Sequence, residues 1–272
     1  MIRRMIRLYG TWSAEYGLIR THVLIFCSIL EKSHKSLIGL THRVSMDPSA
    51  RIYSRFNLHL YDIVVLVVSN AWAWRCSTTS TLLPFFHKNL GESAHLDVGV
   101  GTGYYPAKSV HPFSKTGNVT LVDLNEATLS TATSRLRHAG YKGTIDEVQH
   151  NVFQPLPESL RGRFDSVSLF YLLHCLPGRM EDKGPKVLAN LADALRPDGV
   201  LYGATILGRG PGVSHNWFGR RLMGLYNKKG IFGNADDTLD ELKRALEGCF
   251  EEVEVKLVGV VALFEARRPK MK

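Results

Sequence analysis

The chain has 272 residues, of which 44% are hydrophobic and 22% charged, with a formal net charge of +9. This length accommodates one large α/β domain or a domain with an extra lobe, and the composition excludes global disorder. The positive charge does not by itself mark a nucleic-acid binder: residues 1–45 hold seven basic side chains against two acidic ones, and the remainder is only mildly basic.

Cys27, Cys76, Cys175 and Cys249 are widely spaced and form no CxxC pair. The sequence therefore points to no metal site and no disulfide framework, and reads as a cytoplasmic protein with reduced thiols. The apolar runs at 23–26 and 63–68 are far shorter than the roughly 20 residues that cross a bilayer, which excludes stable membrane insertion.

Residues 1–45 differ from the rest, being basic, poor in acids and marked by the patch Val23-Leu24-Ile25-Phe26. A mitochondrial presequence, a membrane-leaning helix and an upstream extension of the gene with Met46 as the true start all fit this pattern, the last preferred because Met46-Asp47-Pro48 opens the part that reads as a domain. Residues 46–90 read as a helical lid, with an apolar stretch around Leu58, Tyr61, Ile63 and Val64 followed by Asn70, Trp72, Trp74 and Arg75. The two tryptophans serve equally well as plain core.

From residue 94 strand and helix alternate, the pattern of a parallel sheet. Strands are expected at 94–98, 120–122, 145–149, 164–173 and 200–207, and helices at 126–138, 181–195 and 238–246. Arg196-Pro197-Asp198-Gly199 reads as a turn. The strand-like runs 252–258 and 260–265 are separated only by Gly259, so they form an antiparallel hairpin. The α/β domain proper is expected over 91–268.

The central motif is Asp97-Val98-Gly99-Val100-Gly101-Thr102-Gly103, a strand running into a glycine-rich turn. A dinucleotide fingerprint would place its third glycine at Tyr104, and a pyrophosphate would be repelled by Asp97; an acid beside the loop suits a cation instead. Asp123 ends the second strand, 20 residues beyond Gly103, where an acid accepts hydrogen bonds from ribose hydroxyls or caps the following helix. Asn151, Val152 and Phe153 follow the third strand, where a polar edge and an apolar face would meet an adenine ring, or where Asn151 is a turn residue.

The ordered set formed by the loop, Asp123, the strand at 164–173, the turn at 196–199 and the terminal hairpin resembles the class I, Rossmann-like S-adenosylmethionine-dependent methyltransferases over residues 52–267. Tyr171-Leu172-Leu173-His174-Cys175-Leu176-Pro177 is similar to methyltransferases of fungal secondary-metabolite pathways. The resemblance implies a mostly parallel seven-stranded sheet with a C-terminal antiparallel hairpin. It implies S-adenosyl-L-methionine as cofactor, held by Asp97, Gly99, Gly101, Gly103 and Asp123, with Leu124, Asn151, Val152 and Phe170 as further candidate contacts. It implies methyl transfer to a small molecule. Asn151 stands where the family often has Asp. The fourth strand lacks the Asn/Asp-Pro-Pro-aromatic signature of enzymes that methylate amino groups of DNA bases, which argues against a nucleic-acid substrate.

A hydroxyl acceptor must lose a proton, whereas a carboxylate needs no base. His174, just past the fourth strand, and His215, in a glycine-rich insert after the fifth, are the candidate bases; a buried structural histidine and an exposed loop histidine are the competing roles. Tyr61, Trp74, Tyr171 and Trp217 are candidate acceptor contacts. A hydroxyl or carboxyl oxygen of a secondary metabolite is the preferred acceptor. Transfer to nitrogen, carbon or sulfur, or a cofactor-binding protein without transfer, are the other readings.

Overall fold

The computed structural model describes residues 69–113 and 117–270. Tyr61, the segment 1–45 and most of the expected lid lie outside the described residues. Seven strands form one sheet in the order β3-β2-β1-β4-β5-β7-β6. Their ranges are β1 Ala94–Val98, β2 Asn118–Asp123, β3 Thr144–Gln149, β4 Phe164–Phe170, β5 Leu195–Ile206, β6 Phe250–Val258 and β7 Val261–Pro269. The first five strands are mutually parallel, and β7 runs antiparallel between β5 and β6. The expected seven-stranded, mostly parallel sheet with a terminal hairpin is the observed one.

The central strands β1 and β4 are buried almost throughout, which is why they read as near-continuous apolar runs. One face of the sheet packs on α4 (Met180–Ala192) and α6 (Leu239–Cys249) through Val187, Leu188, Leu191, Leu242 and Leu246. The other face carries an aromatic core in which the ring of Phe86, from α1 (Leu83–Asn89), meets Phe170 at 5.2 Å and Tyr202 at 5.6 Å. Tyr105, from α2 (Tyr104–Lys108), stands 4.7 Å from Phe170.

Local signals place α3 at Glu126–His138, as expected: the Asn125 side chain accepts from Ala127 N–H, Glu126 lies in the first turn, and Arg135, Arg137 and His138 lie in the last. A full capping box of Thr238 and Glu241 starts α6.

Four expectations need correction. The segment 69–90 is not one helix: Arg75 has φ 54°, and a π-helical turn, Thr78–Leu82, leads into α1. The fourth strand stops at Phe170, because Tyr171 takes φ 61° and turns the chain. Arg196-Pro197-Asp198-Gly199 does not separate helix from strand: Leu195 already pairs with Phe164 and Val200 with Ser166, so the four residues bulge out of β5. A helix unforeseen in the insert, α5 (Trp217–Lys228), is capped by Asn216 and buries Gly219, Leu222, Met223 and Tyr226 along one stripe.

The hairpin also anchors the segment before α1. Gly259, at φ 62°, turns β6 into β7, and a Cβ there would lie 2.2 Å from the Trp74 carbonyl oxygen. Only glycine permits that approach, and it lets Val260 N–H donate to the same carbonyl at 3.0 Å. No helix among the described residues is long and apolar enough to cross a membrane.

Candidate active site

The parallel strands β1, β2 and β3 end side by side, so the residues that follow them share one edge of the sheet. Gly99, Gly101 and Gly103 take φ of 68°, 53° and 69°. Gly99 N–H donates to Val122 O at 2.8 Å, tying the loop to β2. Gly103 packs on α3 so closely that a Cβ would stand 2.9 Å from the Ala132 Cα, whereas a Cβ on Gly101 would meet nothing within 4 Å. The loop is thus closed beneath and open above, a backbone cradle. Arg135 fixes its far side by donating to the Thr102 carbonyl and hydroxyl at 3.2 and 3.0 Å.

Asp97 enters this loop from β1 and is buried. Burial pushes its carboxyl up to about 7, a hydrogen bond from Ser168 draws it down, and the charge of Asp123 adds to the rise. No basic side chain among the described residues pairs with it.

Asp123 is half-buried at the end of β2. The cap of α3 is Asn125, so Asp123 is released from that duty; its Oδ1 accepts from Asn125 N–H at 3.0 Å and its second oxygen has no partner among the described residues. Leu124 is 67% exposed, an apolar side chain standing beside the carboxylate. Asn151 Oδ1 accepts from Phe153 N–H at 3.1 Å, a turn-forming bond that leaves its amide N–H groups available. Val152 is buried next to it and its carbonyl accepts from Asn190.

Four of the expected acceptor-side residues come together through a fifth that the sequence reading missed, Phe232. Its ring stands 4.4 Å from His174 and 6.1 Å from Trp74, while Tyr171 lies 5.4 Å from His174 and Trp74 lies 6.1 Å from His215. Gly233 N–H donates to the His174 carbonyl at 2.8 Å, which seats Phe232 in this chain of rings. The signal available in sequence was an apolar pair, Ile231-Phe232, held between two glycines.

The two histidines differ. His174 is 2% exposed, and its Nδ1 accepts from Ile206 N–H at 3.4 Å. Burial, with the charge of Lys183 adding, pushes its pKa down to about 3. It is the hydrogen-bonded buried histidine of the two alternatives, and a poor proton acceptor at neutral pH. Nitrogen-15 spectra of the imidazoles should show His174 neutral and unchanged from pH 5 to 8; a titration inside that range would refute this assignment. His215 Nε2 donates to Leu207 O at 2.9 Å, which leaves the buried Nδ1 with a lone pair and no hydrogen-bond partner among the described residues. Burial lowers its pKa as well, with Arg75 and Arg220 contributing.

Two expected site residues lie elsewhere. Phe170 is inside the aromatic core, 7% exposed, because the alternation of β4 turns it toward α1. Trp217 opens α5 on the side opposite its buried stripe; it is 54% exposed and carries Arg221 at 5.7 Å from its ring.

Comparison with known proteins agrees with this geometry. The methyltransferase domain family matches residues 96–201. The physcion biosynthesis cluster O-methyltransferase of Aspergillus chevalieri is 42% identical over 81% of this chain and 95% of its own length. The N-methyltransferase vrtF of Penicillium aethiopicum is also 42% identical, over 83% of this chain and 92% of its own. The fold matches that of a geranyl diphosphate methyltransferase with a TM-score of 0.52 at 16% identity, covering 70% of this chain and 77% of that one. The chain belongs to the methyltransferase family, alongside enzymes of fungal secondary metabolism.

Proposed function

We propose that this methyltransferase uses S-adenosyl-L-methionine and delivers the methyl group to an oxygen of a small, flat, conjugated acceptor. The observation that carries the cofactor reading is Asp97: a buried carboxyl with no basic partner among the described residues, two residues ahead of an open glycine cradle. A cationic methionine part resolves that imbalance, and a phosphate would worsen it. The unpartnered oxygen of Asp123 is placed for ribose hydroxyls, Leu124 offers an apolar face to adenine, and Asn151 N–H offers its edge a donor. When bound, the cofactor supplies a methyl group activated by its sulfonium.

The chain's own part is alignment and exclusion of water. Half-buried Phe232 and Tyr171 offer aromatic surface to a flat acceptor, backed by the buried Trp74, whose backbone tie to the hairpin holds that wall in place. With His174 held neutral deep in the fold, His215 is the residue suited to take an acceptor proton, since Leu207 fixes its tautomer and leaves Nδ1 as the base.

The test is methyl transfer from labelled cofactor to a panel of phenols, enols, carboxylic acids and amines by the full chain. Transfer to oxygen is expected. Phe232→Ala should raise the acceptor KM about tenfold or more, the effect of losing roughly 1.5–3 kcal/mol of aromatic burial, with cofactor affinity unchanged. Transfer confined to amines would refute the oxygen acceptor, and an unaltered acceptor KM would refute the aromatic wall.

A further inference from the structure

We propose that His95 and Ser168 are positioning residues, forming a one-directional hydrogen-bond relay that holds Asp97 ionised for a cationic group at the glycine loop. The proposal rests on the cofactor reading above, with the ammonium of the methionine part as the cation.

The relay crosses the two central strands. The register of β1 on β4 sets His95 beside Ser166 and Asp97 beside Ser168. Residues two apart on a strand share a face, so the four polar side chains form one stripe. All four are buried. Gly91 N–H donates to Ser166 Oγ at 2.8 Å. Ser166 Oγ stands 2.7 Å from His95 Nδ1, and His95 Nε2 stands 3.1 Å from Ser168 Oγ. Ser168 Oγ donates to Asp97 Oδ1.

The direction of the chain follows from counting protons. A serine hydroxyl has one to give. Ser168 gives its proton to Asp97, so it must accept from His95, which puts the imidazole proton on Nε2. Nδ1 then holds a lone pair and accepts from Ser166, whose oxygen is already served by Gly91 N–H. With Ser168 donating to Asp97, every donor in the chain points toward Asp97. Each bond polarises the next, and a chain so oriented favours negative charge at its end.

Burial keeps His95 neutral by pushing its pKa down to about 3, so it relays polarity without carrying charge. Against the relay stand the burial of Asp97 and the charge of Asp123 at the end of β2, while the Tyr202 phenol lies within electrostatic reach from β5. These opposing effects leave the Asp97 carboxyl balanced at about 7. Near such a balance, loss of the relay converts an ionised Asp97 into a protonated one at working pH.

The test is the affinity of the full chain for S-adenosylhomocysteine, which keeps the ammonium, measured by calorimetry from pH 5.5 to 9. Methylthioadenosine, which lacks the ammonium, is the control. Wild-type affinity for the homocysteine compound should fall about tenfold per pH unit below the midpoint, and affinity for the control should not. His95→Phe preserves a ring among Phe86 and Tyr202 but removes the donor to Ser168. It should move the midpoint up by about one unit, a loss of about fivefold at pH 7 and about tenfold well below it, which alkali restores. His95→Gln, which keeps an N–H, should move it back. An unmoved midpoint, or a loss equal at every pH, would overturn the relay and leave the cofactor reading standing. Absence of wild-type binding at any pH would overturn both. Should His95→Phe fail to fold, nitrogen-15 spectra of the wild type decide: a neutral Nε2–H tautomer supports the relay, and Nδ1–H refutes it.

Discussion

Replacing Lys183 with methionine is expected to remove about 3–5 kcal/mol of folding stability, the usual effect of breaking a buried ion pair from one side. Lys183 Nζ lies 2.8 Å from Asp237 Oδ2, and both side chains are 1% exposed. Lys183 and the Met180 N–H both act on the Asp237 carboxyl and draw its pKa down. The ammonium also donates to two carbonyls, Gly233 O at 2.7 Å and Leu176 O at 3.2 Å. Methionine fills a similar volume and supplies none of these donors, so it strands a buried carboxylate and two carbonyls. Those carbonyls adjoin Phe232 and follow His174 in the chain, so the lysine braces the aromatic wall from behind.

Burial already holds the Asp237 carboxyl above the usual range even with its partner present. In the variant that rise is uncompensated. A carboxyl whose folded pKa exceeds its unfolded value binds more protons in the native state, so stability falls as pH rises through that interval. The deficit should therefore be larger at pH 8 than at pH 5. Urea unfolding at both pH values checks this, and Lys183→Met combined with Asp237→Leu should recover much of the loss. A single variant that unfolds at the wild-type urea midpoint would refute the account.

What the sequence makes legible is what its residues decide locally. The strand Ala94–Val98 and the helix Glu126–His138 lie where apolar runs, the Asn125 cap and the terminal basic residues put them. The glycine loop is legible for the same reason, since its three glycines and Asp97 are contiguous. Arg196-Pro197-Asp198-Gly199 has every local mark of a turn, yet pairing of Leu195 and Val200 with β4 makes it a bulge. The helix Trp217–Lys228 is hidden behind a glycine-rich start, although Leu222, Met223 and Tyr226 carry helical spacing. The aromatic wall depends on contacts far apart in sequence: Phe232 meets Trp74 and His174 only after the sheet is assembled. The relay was readable in part. Alternating polar residues on two otherwise apolar strands, His95 with Asp97 and Ser166 with Ser168, are a stripe that burial must satisfy.

Asp123→Ala is expected to weaken S-adenosylhomocysteine binding by about 100-fold or more. The carboxylate sits at the end of β2 with one oxygen engaged by Asn125 N–H and one unpartnered among the described residues. Hydrogen bonds from ribose hydroxyls to a charged acceptor contribute about 1.5–3 kcal/mol each, and each 1.4 kcal/mol is tenfold in affinity. One opposing consequence keeps the estimate from growing further. The substitution removes a negative charge that raises the Asp97 carboxyl, so Asp97 ionises more readily and holds the ammonium better. It also costs little stability, because the helix cap belongs to Asn125 and not to Asp123. Asp123→Asn separates these effects: it keeps an acceptor for Asn125 N–H and for one hydroxyl but gives up the charge, so its affinity should fall between wild type and alanine. Calorimetry at pH 8, where the wild-type Asp97 is mostly ionised, isolates the ribose contact, and a thermal melt confirms the fold. Wild-type affinity in the folded alanine variant would reduce Asp123 to a turn residue and move the ribose contact elsewhere on the sheet edge.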